Sequence, residues 1–443
     1  MINTSRRTFV RMRYQPLKAD LFARHRTRFT ASLKPNSVAF FNSSDIYPTS
    51  ADGSFPFKQA TDILWLSGVD QEESILVLFP DAPKPEQREM LFLVETNDLI
   101  ARWEGAKLSK DEARTLSGIQ SIHWLSDFDR ILREVMAHAQ HAYLLSHEHI
   151  RRNNPVETRE DRFGADLRRR FPNQEYERSA PALMALRAIK DPEEVEAMQT
   201  AADITAAGYD RVLRFLKPGV WEYELEAEFL HEFVRLRSHG FAYTPIIGSG
   251  ANACVLHYIT NDAQVHDGDM VLFDVGAVYG NYACDVTRCF PANGRFTPRQ
   301  RQVYEAVLRV EKAAMNLLKP GVRLPDYHVQ VGEPMTEELI GLGLITREDV
   351  AHQDPAWPAY KKYFMHGTSH YLGLDVHDYG PWDGSEIKEG MVFTVEPGIY
   401  IPEEGLGIRI EDDIVVTKGE PINLTKAIPK EVDEIERIMA SGN

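Results

Sequence analysis

Acidic residues interrupt four apolar, strand-like runs in the C-terminal half of the chain, and a fold must either expose those acids or neutralise them. Residues 270–278 (MVLFDVGAV) and 282–290 (YACDVTRCF) flank Tyr279-Gly280-Asn281. Closed as a hairpin by Tyr279 and Gly280, they set Asp274 directly opposite Asp285, with Cβ atoms about 5 Å apart on one face. Phe273, Val275, Cys284 and Val286 then point the other way, into a core. Residues 392–400 (VFTVEPGIY) and 406–415 (LGIRIEDDIV) flank Pro402-Glu403-Glu404-Gly405, and folding about Glu403 and Glu404 sets Glu396 opposite Glu411. Facing carboxylates repel and lose hydration between apolar strands.

One such pair is accommodated by a solvated face. Two pairs in apolar strands call for cations, and four carboxylates nearly balance two divalent ions. Hard oxygen ligands with one imidazole favour Mn, Co, Mg or Zn over copper or an iron-sulfur cluster. For the imidazole, His366, His370 and His377 put three of the 15 histidines within 12 residues, the plain alternative being a surface cluster. His257 is a fourth candidate. Cys284 alternates away from Asp285 and Cys289 falls on the face opposite Cys284, so neither is read as a ligand.

The chain has 443 residues with 43% hydrophobic and 26% charged, which excludes disordered, collagen-like and disulfide-scaffold classes. Its net charge of −16 argues against nucleic acid or an anionic membrane surface as partner. No run reaches the roughly 20 apolar residues of a membrane span. Residues 5–10 (SRRTFV) resemble a twin-arginine signal but lack the apolar stretch that should follow, and read as the start of a basic surface helix. The odd set Cys254, Cys284 and Cys289 suits a reducing compartment, with cytoplasm as the default.

Strands are expected over 75–79 (ILVLF), 90–94 (MLFLV) and 142–145, and a helix over 128–138. A second unit begins near Leu183, with a Pro and two acids at a helix start, Pro192-Glu193-Glu194, and a long helix to about Leu216. That helix ends at Lys217-Pro218-Gly219-Val220. The same tetrapeptide, Lys319-Pro320-Gly321-Val322, closes the helix over 298–318, 102 positions later, which suggests two related halves.

These residues resemble the pita-bread metallopeptidases, the family of methionine aminopeptidase, prolidase and Xaa-Pro aminopeptidase. The likeness runs from Met184 to the C-terminus: 366–370 (HGTSH) through 376–378 (VHD) resembles the histidine signature of the proline-peptidase branch, and 407–413 (GIRIEDD) its last metal-ligand strand. Residues 55–59 (FPFKQ) and 62–68 (DILWLSG) resemble the companion domain of Xaa-Pro aminopeptidase. The resemblance implies an α/β fold: an N-terminal α/β domain over 1–180 of the creatinase/aminopeptidase P type, then a pita-bread α+β catalytic domain over 184–443 with pseudo-twofold halves.

The resemblance further implies Asp274, Asp285, His370, Glu396 and Glu411 as ligands of two divalent ions, manganese first with cobalt or zinc as alternatives. Asp285 and Glu411 would bridge, Asp274 complete one ion, and His370 with Glu396 the other. A water held between two cations is acidified towards neutrality and becomes a nucleophile. Glu396 would relay its proton to the leaving proline nitrogen. His257 and His377 would hold the scissile carbonyl or substrate, His366 support the site, and Arg409 orient Asp274 or the substrate. The implied activity is removal of an N-terminal residue that precedes proline, in a homodimer or homotetramer. Prolidase, cutting Xaa-Pro dipeptides, is the rival reading, and a metal-free binding module on the same fold a more distant one. The N-terminal domain, with its 55–59 segment and Trp103, is expected to act as the lid that leaves room for a longer peptide.

Overall fold

The computed structural model describes residues 13–152, 155–381 and 383–441. The basic segment at 5–10 lies outside them. The chain divides into two compact units, one ending at Arg187 and one beginning at Ala188. Among the described residues no helix is long and apolar enough to cross a membrane.

The first unit is built on a six-stranded mixed sheet ordered Ser121–Trp124, Glu89–Leu93, Ile75–Leu78, Ser37–Asn42, His141–Leu144 and Glu175–Arg178. The central strands are buried along their whole length, which is why their sequences read as unbroken apolar runs. Helix Phe128–His138 covers one face with Ile131, Leu132, Val135 and Met136. Helix Arg159–Arg170, in the charged stretch that follows, starts at a Thr158/Asp161 capping box and anchors itself by Leu167.

The second unit repeats one plan twice. Helices Pro192–Phe215 and Glu222–Arg235 precede strands Ile246–Ser249, Met270–Asp274 and Thr287–Pro291; helices Pro298–Leu317 and Leu324–Gly341 precede Val392–Val395, Asp412–Val415 and Ile422–Asn423. The two tetrapeptides occupy equivalent joints between the paired helices. Gly219 and Gly321 have φ of 95° and 89°. Their N–H groups donate to Val265 and Ile387, and the next carbonyls, on Val220 and Val322, accept from those same two residues at 2.8 Å. Shared geometry down to single hydrogen bonds supports the duplication suggested by the repeat.

Each half carries a hairpin whose ladder breaks in the middle. In the second, Val395 pairs with Asp412 and Gly398 with Arg409, the register that places Glu396 opposite Glu411 as expected. The first hairpin corrects the sequence reading. Val278 pairs with Ala283 and Tyr279 with Tyr282, so the loop is Gly280-Asn281, not Tyr279-Gly280, and Asp274 lies opposite Thr287 instead of Asp285. The physical reason is the turn: a two-residue hairpin loop of this type needs positive φ at both positions, and Gly280 (57°) and Asn281 (68°) supply it at far less cost than tyrosine. The slip is two residues, so parity holds and the two aspartates still share a face. Phe273, Val275, Cys284 and Val286 are all buried on the other.

Candidate metal centre

The interrupted ladders aim their acids into a single space. His370 Nε2 lies 3.4 Å from Asp285 Oδ2 and 3.7 Å from Glu396 Oε1. Ligand atoms of Asp285, His370 and Glu411 fall within 4.8 Å of one another, and all three residues are buried. Asp274 stands beside them, its charge acting on Glu396 and Glu411. Four carboxylates from two hairpins and one imidazole from the connecting segment thus converge.

Their protonation shows the strain of that convergence. Burial and the charges of Asp285, Glu396 and Asp274 hold the Glu411 carboxyl well above the usual range. Burial and the neighbouring acids push Glu396 up to about 7, against the pull of His370 and Arg409. Asp274 is raised, by burial first. Asp285 alone is lowered: its bond with His370 and a contact from the Tyr243 hydroxyl outweigh its burial. So many buried acids cannot all ionise without added positive charge, and dense oxygen donors with one imidazole suit hard divalent cations.

The imidazole is set for that purpose. His370 Nδ1 donates to the Tyr371 carbonyl at 3.0 Å, which turns Nε2 towards the acids. Against its burial, the bond with Asp285 and the charges of Glu396 and Asp285 raise the imidazole above its usual range, so a cation bound there would take the place of the Nε2 proton. The His370 N–H donates to Thr394 Oγ1 at 3.2 Å, fixing the backbone behind the ring.

Arg409 reaches Asp274. Its guanidinium, buried, donates to Asp274 Oδ2 at 2.6 Å, Thr287 Oγ1 at 2.9 Å and the Tyr400 hydroxyl at 2.9 Å. It orients Asp274. The Tyr400 hydroxyl in turn donates to His366 Nε2 at 2.8 Å, since His366 Nδ1 donates to the Gly367 carbonyl. Burial and the Arg409 charge hold His366 down at about 3, so it is neutral and serves as an acceptor. His377 stands edge-on to His370 with ring centroids 4.4 Å apart and is exposed, as is His257, whose charge bears on His366.

Several polar neighbours were not singled out from sequence. Thr287 donates to Glu411 Oε2 at 2.6 Å, Tyr243 to Asp274 Oδ1 at 2.5 Å, and Thr394 and Tyr400 act as above. Thr287, Thr394 and Tyr400 share strand parity with Asp285 and Glu396, so the two-residue period could have found them. Tyr243 has no such signal, lying 31 positions before Asp274. The cysteines are free; Cys284 is buried on the face away from the acids, whereas Cys289 shares the parity of Asp285 and is buried with its Sγ on the Arg409 carbonyl at 3.4 Å.

Fold and site together define a metal-dependent peptidase of duplicated α+β architecture with an N-terminal α/β companion. Residues 196–418 match metallopeptidase family M24 and residues 22–144 the aminopeptidase P N-terminal domain, and the chain belongs to that family. Its relatives include a Xaa-Pro aminopeptidase of Haemophilus influenzae, 35% identical over 437 residues that cover 96% of this chain and 98% of the relative. The solved structure of Pseudomonas aeruginosa aminopeptidase PepP is similar at a TM-score of 0.87 and 33% identity, covering 96% of this chain and 99% of that one. A human Xaa-Pro dipeptidase is 30% identical, over 95% of this chain and 93% of the relative.

Proposed function

We propose that the protein is a Xaa-Pro aminopeptidase, releasing the N-terminal residue from peptides with proline second, and that Asp274, Asp285, His370, Glu396 and Glu411 hold two divalent ions, manganese in the first instance. The observation that carries this reading is the orientation of His370: Nδ1 is committed to a carbonyl, so Nε2 is the nitrogen turned to the carboxylates and free to ligate a cation. Metal ions in this site would polarise the scissile carbonyl and acidify water.

The chain's own groups do the rest. Glu396, among these groups, is placed to carry a proton from water to the leaving imide nitrogen. His257 and His377, on the exposed side, hold the substrate carbonyl by hydrogen bonds that strengthen as charge develops on its oxygen. Arg409 fixes Asp274 by a charge-assisted hydrogen bond, and its second bond, to Tyr400 with His366 accepting beyond, holds the guanidinium in place. Proline's imide nitrogen has no hydrogen to donate, so recognition rests on shape.

The companion-domain match and the Haemophilus and Pseudomonas relatives favour an aminopeptidase over a dipeptidase. We place the enzyme in the cytoplasm, on its three free cysteines, as a homodimer or homotetramer. Comparing a Xaa-Pro dipeptide with a Xaa-Pro-Yaa tripeptide tests the choice: kcat/KM for the tripeptide is expected to equal or exceed that for the dipeptide. Dipeptides cleaved and longer chains untouched would make it a prolidase with the same metal chemistry.

A further inference from the structure

The loop from Ser249 to Ala263 carries His257 and is tied at both ends and in the middle to one carboxylate. Glu222, the first residue of its helix, is fully buried. Its Oε1 accepts from the Ser249 N–H and hydroxyl, both at 2.7 Å, and from Asn252 Nδ2 at 3.4 Å. Its Oε2 accepts from the Tyr258 hydroxyl at 2.8 Å and the Ala263 N–H at 3.0 Å. Tyr258 follows His257 directly, whereas Val255 and Ile259 on either side are more than half exposed. The middle of the loop therefore reaches the interior through the Tyr258 hydroxyl. Burial and Glu222 push that phenol up to about 12, so it remains a donor throughout the neutral range.

The duplication gives an internal control. The position equivalent to Glu222, 102 residues on, is Leu324, also the first residue of its helix and also buried. An apolar side chain thus satisfies the repeated scaffold at this joint. The carboxylate is specific to the half that carries His257.

We propose that Glu222 is a positioning residue for the hydrolysis, gathering five donors of the 249–263 loop so that His257 is presented at the metal centre. The inference rests on the Xaa-Pro reading and on the role given there to His257.

Four proteins test it: wild type, Glu222→Gln, His257→Ala and the double variant, each assayed for kcat/KM on a Xaa-Pro-Yaa tripeptide, for bound metal and for hydrogen exchange. A carboxamide offers one accepting oxygen in place of two, so Glu222→Gln should speed exchange at the Ser249 and Ala263 amides while metal content holds. It should lower kcat/KM by about 10- to 100-fold, less than the roughly 10²–10³ for outright loss of a transition-state hydrogen bond, because His257 is displaced and not removed. Because both changes act through one imidazole, the double variant should be no worse than His257→Ala within about 2-fold. Losses that multiply, unchanged loop exchange, or a silent His257→Ala would each overturn the proposal. Tyr258→Phe removes one donor only and should show a smaller, equally non-additive loss should Glu222→Gln not fold. A wild-type enzyme that cleaves no Xaa-Pro peptide would refute the assigned activity at the outset, while the exchange data still decide whether Glu222 holds the loop.

Discussion

His370 and His366 both spend the Nδ1 hydrogen on a backbone carbonyl, and what separates them is the other nitrogen, which in His370 faces Asp285 and Glu396. His366 has both nitrogens engaged, one by Gly367 and one by Tyr400, while His257 and His377 lie on the exposed side. The consequences differ by residue. His370→Ala should lose metal, and so should Asp285→Asn, because a neutral amide bridges cations poorly. His257→Ala and His377→Ala should retain metal yet lose about 10²–10³ in turnover, the size expected for one transition-state hydrogen bond. Metal analysis beside kcat checks this: equal metal loss in all four would show that ligand and substrate-holding roles are misassigned.

The two hairpins show how far a sequence pattern reaches at the scale of elements. Glu396 opposite Glu411 follows from alternation and a Pro-Glu-Glu-Gly turn, which Gly405 closes in the left-handed conformation at φ 59°. Asp274 opposite Asp285 fails by two residues because apolar alternation fixes which face a residue is on but not which partner it meets. Turn chemistry at Gly280-Asn281 decides the partner. Tyr243 and Glu222 are illegible for a further reason: Tyr243 meets Asp274, and Glu222 meets the 249–263 loop, through tertiary packing, which no local period encodes. At the helix joints, an added Cβ at Gly219 or Gly321 meets no atom within 4 Å, so only the positive φ constrains these residues. Gly219→Ala and Gly321→Ala should therefore each destabilise the fold by about 1–2 kcal/mol, with additive effects. Denaturant titration of both single variants and the double checks this, and a stabilised or markedly non-additive double would show that the joints are not equivalent and independent.

At the scale of the whole molecule, the two units bury acids under different terms. In the second, the acids of the metal centre stand close together. In the first, Glu160 is enclosed with Asn42, whose N–H and Nδ2 donate to its two oxygens at 2.6 and 2.7 Å, yet burial still pushes the carboxyl from 4.5 up to about 8. The folded unit keeps a proton there that the unfolded chain releases, so this group's stabilisation is complete below about 4.5 and is lost as pH rises towards 8. Glu160→Gln should flatten that decline in thermal melts between pH 5 and pH 8; an unchanged slope would assign it to other groups. The metal-site chemistry is tested most directly by stripping the enzyme with a chelator and returning manganese in measured equivalents while following release of the N-terminal residue from a Xaa-Pro-Yaa tripeptide. Release should be absent without metal and should rise to a plateau by two equivalents. Full release from the stripped protein, or a rate indifferent to added metal, would contradict it.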